Sequence, residues 1–163
     1  MVSCSRSKVK FTDESVPQKI ASGSETILLV DDTAPWRAIT RELLEGCGYT
    51  VLEAEDGEHA LQISNHYQAE ISLLMTDLGL PKMSGVALAK SLLEKRSATR
   101  VLYVSGDAAE VMDSRVPEPG TAFLQKPFTQ EALAQKVRDL LDRTEDRSQV
   151  REGLLDRGSE PAA

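Results

Sequence analysis

The stretch ISLLMTDLGLP, residues 71–81, decides the fold class. Four of the five residues from Ile71 to Met75 are strongly apolar, without alternation of apolar and polar side chains. Such a run is typical of a strand buried on both faces of a parallel sheet. It ends in Thr76 and the acid Asp77, before a Gly-Leu-Pro turn. An acid at the carboxyl end of a buried strand needs a chemical explanation.

Apolar runs and helical spacing alternate along the rest of the chain. Four further short runs predict strands, at residues 26–30, 49–54, 100–106 and 121–125. Helical spacing and capping residues predict helices that begin at Pro35 and Thr129 and that cover residues 56–67, 84–95 and 107–115. The predicted inner face of the first helix consists of Trp36, Ile39, Leu43 and Cys47. This alternation predicts an α/β fold, a doubly wound five-stranded parallel sheet with helices on both faces.

The composition indicates one globular domain. The chain has 163 residues, 40% hydrophobic and 28% charged, with a formal net charge of −7. This charge argues against a nucleic-acid or anionic-membrane surface. We expect a cytoplasmic protein, because no segment approaches the ~18 apolar residues of a membrane span and the first 19 residues lack a signal-peptide core. Cys4 and Cys47 match no metal spacing, and Cys47 is expected to be a small buried hydrophobe.

The two ends of the chain are polar. Residues 1–24 are rich in Ser and Lys without an apolar period, which predicts a flexible N-terminal arm. Residues 25–142 form the predicted folded domain. Residues 143–163 are charge-dense, and we expect them either to extend the last helix or to form a charged C-terminal tail.

Polar side chains gather at the predicted carboxyl ends of four strands. Asp31 and Asp32 follow the first strand, Asp77 the third, Ser105 ends the fourth and Lys126 follows the fifth. In a doubly wound sheet these ends meet at one rim, where ligands bind. Three crowded carboxylates repel one another, and Mg²⁺, which prefers oxygen ligands, would relieve that repulsion. With a lysine for a phosphoryl oxygen, the set indicates phosphoryl transfer with Asp77 as nucleophile.

Four motifs in this order and spacing resemble the receiver domain of two-component response regulators. They are ILLVDD (27–32), LLMTDLGLPKMSG (73–85), LYVSG (102–106) and FLQKPF (123–128). The resemblance covers roughly residues 25–142, and residues 118–137 are especially similar to receiver domains attached to hybrid histidine kinases. It implies the flavodoxin-like receiver fold with strand order 2-1-3-4-5.

The resemblance also implies a role for each rim residue. Asp77 would accept a phosphoryl group from a phosphohistidine on a sensor histidine kinase or a histidine phosphotransfer protein. Asp32 and Asp77 would contact Mg²⁺ directly, Asp31 mainly through water, and the carbonyl of Gly79 would complete the protein ligands.

Further residues would bind the phosphoryl group or transmit the signal. Lys126 would pair with the acceptor carboxylate and then with the phosphoryl group, and Ser105 would close on a phosphoryl oxygen. Phe123 lies where the family has its rotating aromatic, and Pro127 is expected to follow a cis peptide bond. Arg115 and Phe123 are candidates for the switching surface.

One position departs from the family pattern, because many receivers have a larger or polar residue where Gly79 lies. We hypothesise a more open route for hydrolytic water there, with Asp107 orienting that water. Trp36, the sole tryptophan, lies about one helical turn after Asp32, and its fluorescence is expected to report phosphorylation.

Two functions of other classes compete with a phosphoacceptor role. A haloacid-dehalogenase-like phosphatase also uses a strand-end Asp with magnesium, but its second acid would fall at Gly79. A phosphate-independent pseudo-receiver scaffold would have lost an acid or the lysine, and all are present. The chain after Thr144 is too short for a helix-turn-helix domain, so we expect a stand-alone signalling receiver and not an enzyme. Its use as phosphate sink, relay or protein–protein switch stays open, as does its downstream partner.

Overall fold

The computed structural model describes residues 20–113 and 119–143, apart from the side chains of residues 111–113. Five strands and five helices alternate along these residues. The strands are β1 (Thr26–Val30), β2 (Thr50–Ala54), β3 (Leu73–Asp77), β4 (Arg100–Ser105) and β5 (Thr121–Gln125). The helices are α1 (Ala34–Gly46), α2 (Gly57–His66), α3 (Gly85–Lys95), α4 (Ala108–Asp113) and α5 (Gln130–Asp142).

All strand pairs are parallel, in the order β2-β1-β3-β4-β5. The predicted fold class and strand order are therefore confirmed. Val30 of β1 pairs with Thr76 of β3, so the next residues, Asp31 and Asp77, emerge side by side. Asp77 pairs in turn with Val104 of β4, which places Ser105 one residue beyond it at the same rim.

Helices cover the sheet on both faces and enclose two apolar layers. In one layer α1 and α5 pack on the sheet, with buried Leu44, Leu133, Val137 and Leu140 against alternate strand residues such as Ile27 and Leu73. In the other, α2 and α3 contribute Ala60, Leu88, Ala89 and Leu92 against Leu28, Leu74 and Val101. Each fully buried Leu or Ile contributes about 1.5–3 kcal/mol, so these layers hold the strand ends in place.

The inner face of α1 differs from the prediction. Ile39 is 50% exposed, whereas Thr40 and Leu44 are buried. Thr40 tolerates burial because its hydroxyl donates to the carbonyl of Trp36, one turn earlier, at 2.9 Å. Cys47, which directly follows the helix, is buried and unpaired as expected.

Strand β3 begins two residues later than the apolar run suggests. The carbonyl of Ile71 accepts a hydrogen bond from the side chain of Thr99 at 2.8 Å, and regular pairing with β1 begins at Leu73. The strand also includes Thr76 and Asp77, so the acid belongs to the sheet itself.

Parts of both predicted ends lie outside the described residues, as does Arg115 of the predicted fourth helix. Residues 20–24 are described and lie against the domain. The N–H of Gly23 donates to the carbonyl of Cys47 at 3.1 Å, and Ala21 packs against the α1–α5 layer. Within residues 20–113 and 119–143, no helix is both long and apolar enough to cross a membrane.

Candidate functional site

A single ammonium group joins two of the acids at the carboxyl rim. Lys126 Nζ lies 2.7 Å from Asp31 Oδ2 and 3.1 Å from Asp77 Oδ2. The lysine extends from the end of β5 across the end of β4, and its backbone N–H donates to the carbonyl of Ser105 at 2.8 Å. The side chains of all three charged residues are less than one-fifth exposed. Water screens such an arrangement less than it screens a surface ion pair.

Backbone amides orient the remaining carboxylate oxygens. Asp31 Oδ1 accepts from the N–H of Thr33 at 2.8 Å, and Asp77 Oδ1 accepts from the N–H of Gly79 at 3.2 Å. The guanidinium of Arg37 donates to the carbonyl of Asp31 at 2.5 Å. Each carboxylate is thus held at both oxygens, which positions it with little side-chain freedom.

The acid cluster offers oxygen ligands of the kind that a hard divalent cation takes. One carboxylate oxygen each from Asp31, Asp32 and Asp77 lies within 4.8 Å of the others. Asp31 is buried, Asp77 is half-buried and Asp32 is exposed. Lys126 balances one of the three negative charges, so two remain, and oxygen donors of this kind suit Mg²⁺. Gly79, two residues after Asp77, is exposed, and the use of its carbonyl as a ligand remains a prediction.

The hydroxyl of Ser105 is held by an acid that the sequence did not reveal. Ser105 is fully buried, and its Oγ donates to Glu110 Oε2 at 2.5 Å. The backbone N–H of Asp107 donates to the same Oγ at 3.1 Å. The carboxylate of Asp107 accepts from the N–H of Ala109 at 2.8 Å. Glu110, and not Asp107, lies beside Gly79. Its carboxylate therefore occupies part of the space next to Gly79 through which hydrolytic water was expected to enter.

Two aromatic pairs lie near the ends of the strands, and one of them borders the lysine. Phe123 is half-buried and stacks on buried Tyr103, with ring centroids 5.2 Å apart. In the second pair, the ring of Trp36 lies 5.6 Å from that of Phe128 and 5.3 Å from Lys126 Nζ, a cation–π distance. The tryptophan therefore lies beside the ammonium group, as its use as a fluorescent reporter requires.

Gly85 is a positioning residue that sequence reasoning missed. A Cβ at this position would stand 2.2 Å from the backbone oxygen of Asp77, so only glycine fits. Its N–H donates to the carbonyl of Leu78 at 3.0 Å. The signal was present in the sequence, because a poor helix former begins a helix just after Ser84, which caps it.

The loop from Asp77 to Gly85 and the turn after β5 have distinctive backbone conformations. Lys82 is the one non-glycine residue in the described ranges with positive φ, at 66°. The peptide bond between Lys126 and Pro127 is cis, as the family resemblance implies.

Comparison with known proteins defines the class. The family model of the response regulator receiver domain matches residues 27–138. The sensor kinase CckA of Brucella abortus is 33% identical over 123 residues, which are 75% of this chain and 13% of that protein. The chain spans between 13% and 50% of the length of its curated relatives CckA, the aerobic respiration control protein ArcA, and the transcriptional regulatory proteins CpxR and ResD.

Solved structures agree with this assignment. The receiver domain of a hybrid histidine kinase CckA is 33% identical, with a TM-score of 0.56 over 71% of this chain and 98% of that one. The response regulator TrrA of Thermotoga maritima, solved in complex with Mg²⁺-BeF, is 26% identical, with a TM-score of 0.62 over 71% and 98%. The chain belongs to the response regulator receiver domain family of two-component systems.

Proposed function

We propose that this chain is a phosphoacceptor of a two-component phosphorelay and that Asp77 takes the phosphoryl group. The observation that carries the proposal is the sharing of Lys126 between Asp31 and Asp77, at 2.7 and 3.1 Å. A lysine in this position can leave the acceptor carboxylate and follow the new phosphoryl oxygens without moving its backbone. Residues 25–142 form the proposed signalling unit.

The transfer step needs little covalent chemistry from the protein. A carboxylate oxygen of Asp77 attacks the phosphorus of a partner's phosphohistidine. The new P–O bond forms as the P–N bond breaks, and the electron pair returns to the imidazole nitrogen, which takes a proton from solvent. Because the charge is spread over the phosphoryl oxygens, positioning and electrostatic stabilisation supply most of the catalysis. Lys126 would stabilise that charge and Ser105 would donate to one of the oxygens.

Asp31, Asp32 and Asp77, with the carbonyl of Gly79, would hold the Mg²⁺ ion. When bound, the ion would offset the two uncompensated charges of the acid cluster, so that the phosphoryl group would meet a site without excess negative charge. The oxygen donors and the charge balance support this assignment. The hydrogen bonds from Thr33 and Gly79 would keep the two carboxylates directed into the site as the ion exchanges.

Phosphorylation would act on other proteins by shifting the balance between two conformations. The added oxygens bind Ser105 and Lys126 better in one conformation than in the other, and the shift is limited by that preference. Phe123, half-buried against Tyr103, is the proposed aromatic switch. The donor would be a sensor histidine kinase or histidine phosphotransfer protein, and a cytoplasmic location follows from such a donor.

Phosphorylation by acetyl phosphate with Mg²⁺ tests the assignment of Asp77. Wild-type protein should gain one phosphoryl group by intact mass, lose it in hydroxylamine as an acyl phosphate does, and change its Trp36 fluorescence. Asp77→Asn should show none of these. Asp139→Asn, an exposed substitution on α5, is the matched control and should behave as wild type. Equal phosphorylation of Asp77→Asn and wild type would refute the proposal.

A further inference from the structure

Glu110 occupies a position beside the acceptor loop for which the proposed function gives no role. It lies in the first turn of α4, and its Oε2 accepts the hydrogen bond from Ser105 Oγ. Its other oxygen, Oε1, lies 3.7 Å from the point where a Cβ on Gly79 would stand. The carboxylate of Glu110 therefore spans the gap between the end of β4 and the loop that follows Asp77.

A serine hydroxyl has a single proton to donate. Two acceptors lie within reach of Ser105 Oγ: Glu110 Oε2 at 2.5 Å and the carbonyl of Asp107 at 3.1 Å. The shorter bond, to an ionised group, is the stronger of the two. A phosphoryl oxygen on Asp77 would need the same proton, so it must displace Glu110 to obtain it.

Charge adds to this competition. Three carboxylates and one ammonium already leave the rim negative, and an acyl phosphate adds roughly −1.5 to −2 if it behaves like other phosphoryl groups. The carboxylate of Glu110, next to Gly79, would repel those oxygens. Both effects favour its departure when Asp77 is modified.

Gly79 provides the room for this carboxylate. The nearest atom to its missing Cβ is Glu110 Oε1, at ordinary contact distance. A side chain longer than alanine at position 79 would extend into the space that Glu110 fills. The small residue after the acceptor and the acid on α4 therefore form one complementary pair.

We propose that Glu110 is a built-in competitor for Ser105, holding the hydroxyl in the unmodified protein until a phosphoryl group displaces it. This inference rests on the proposed function, because it concerns the same site. Glu110 sets how readily the modified conformation forms, and removing it makes that conformation easier to reach. It is a positioning residue that acts through Ser105.

This competition is measured by titrating the protein with beryllofluoride in excess Mg²⁺ and detecting binding by calorimetry and by Trp36 fluorescence. Glu110→Ala should bind the phosphoryl mimic about three- to tenfold more tightly than wild type, which corresponds to one competing hydrogen bond. Glu110→Gln, which keeps a neutral acceptor, should gain less. Glu131→Ala is the matched control, because Glu131 is an exposed acid in the first turn of α5, at the same rim.

The Ser105→Ala background separates competition for the hydroxyl from general repulsion. In this background, the gain in affinity from Glu110→Ala should be less than half as large, on a logarithmic scale, as the gain that the same substitution gives when Ser105 is present. An unchanged or weakened affinity of Glu110→Ala, an equal gain for Glu131→Ala, or an undiminished gain without Ser105 would each overturn the inference. Equal binding to Asp77→Asn and wild type, by contrast, would refute the proposed function itself.

Discussion

The two ends of the sheet differ in how a basic side chain binds its carboxylates. At the carboxyl end, Lys126 lies between Asp31 and Asp77 with one donor atom for both. At the amino end, Arg138 of α5 meets Glu25, which precedes β1, through two separate bonds of 3.2 and 2.8 Å. The same guanidinium donates to Asp142 on its own helix at 2.9 Å.

The difference teaches how to distinguish a functional charge cluster from a structural one. An arginine fork matches a carboxylate in a fixed geometry, whereas a lysine is a point charge that can change partners. The hydrogen bond from Arg138 lowers the pKa of Glu25, and Glu25 in turn raises the pKa of Arg138. At this end three directed hydrogen bonds fix one guanidinium on two carboxylates, whereas Lys126 balances only one of three carboxylates and leaves two formal charges for a ligand.

Lys126→Met should have the largest effect of the changes that test this contrast. We expect phosphorylation by acetyl phosphate to fall by about 10²-fold or more, because a preorganised charge is lost from the transition state. Without Mg²⁺ the variant should also lose roughly 3 kcal/mol of unfolding free energy, since breaking a buried pair leaves carboxylates unpaired. Saturating Mg²⁺ should restore most of the stability but not the rate.

Urea unfolding with EDTA or Mg²⁺, beside a phosphorylation time course, checks both parts. Lys90→Met, an exposed substitution on α3, is the control. If Mg²⁺ stabilised Lys126→Met no more than wild type, Mg²⁺ and the lysine would not be relieving the same repulsion among the three carboxylates.

Arg138→Lys should have a smaller effect, confined to stability. The substitution keeps the charge but loses the fork, and we expect about 1 kcal/mol less unfolding free energy for this partly exposed cluster. Phosphorylation and the stabilisation by Mg²⁺ should match those of wild type. If the variant folds normally but its phosphorylation rate changes, the two ends of the sheet are coupled. The Arg138 cluster would then not be purely structural.

The pH dependence of Glu25→Gln should give the smallest effect, of at most about 1 kcal/mol. A carboxyl group whose folded pKa is lowered adds stability above its unfolded pKa, 4.5 for Glu25, and loses it as the pH falls through the folded pKa. Wild type should therefore be more stable than Glu25→Gln near neutral pH, and the difference should shrink below about pH 4.5. Thermal unfolding across this range measures it, and a difference that grows in acid would contradict the assignment.

The sequence could predict those features that a local pattern encodes. The largely apolar run before Asp77 and the alternation of such runs with helical segments predict a parallel sheet, and parallel strands bring their carboxyl ends together. This topology is why Asp31, Asp77 and Lys126 could be grouped before any distance was known.

Other features depend on three-dimensional neighbours with no signal along the chain. In the sequence Glu110 looks like an ordinary exposed acid, and only the folded β4–α4 turn shows that it accepts the hydrogen bond of the Ser105 hydroxyl. The prediction that Ile39 faces the core is wrong, because spacing defines a helical face only to within a residue or two. Thr40 fills that place with its hydroxyl satisfied within the helix.

The close approach of Gly85 to the backbone of Asp77 has a mechanical consequence. Because the first residue of α3 packs against the acceptor's own carbonyl, a shift of Asp77 toward α3 would meet backbone atoms. On the opposite side of the acceptor, β4 leads into the six-residue α4. That side offers the easier direction for a rearrangement after modification, so a partner that contacts it would be best placed to distinguish the two states.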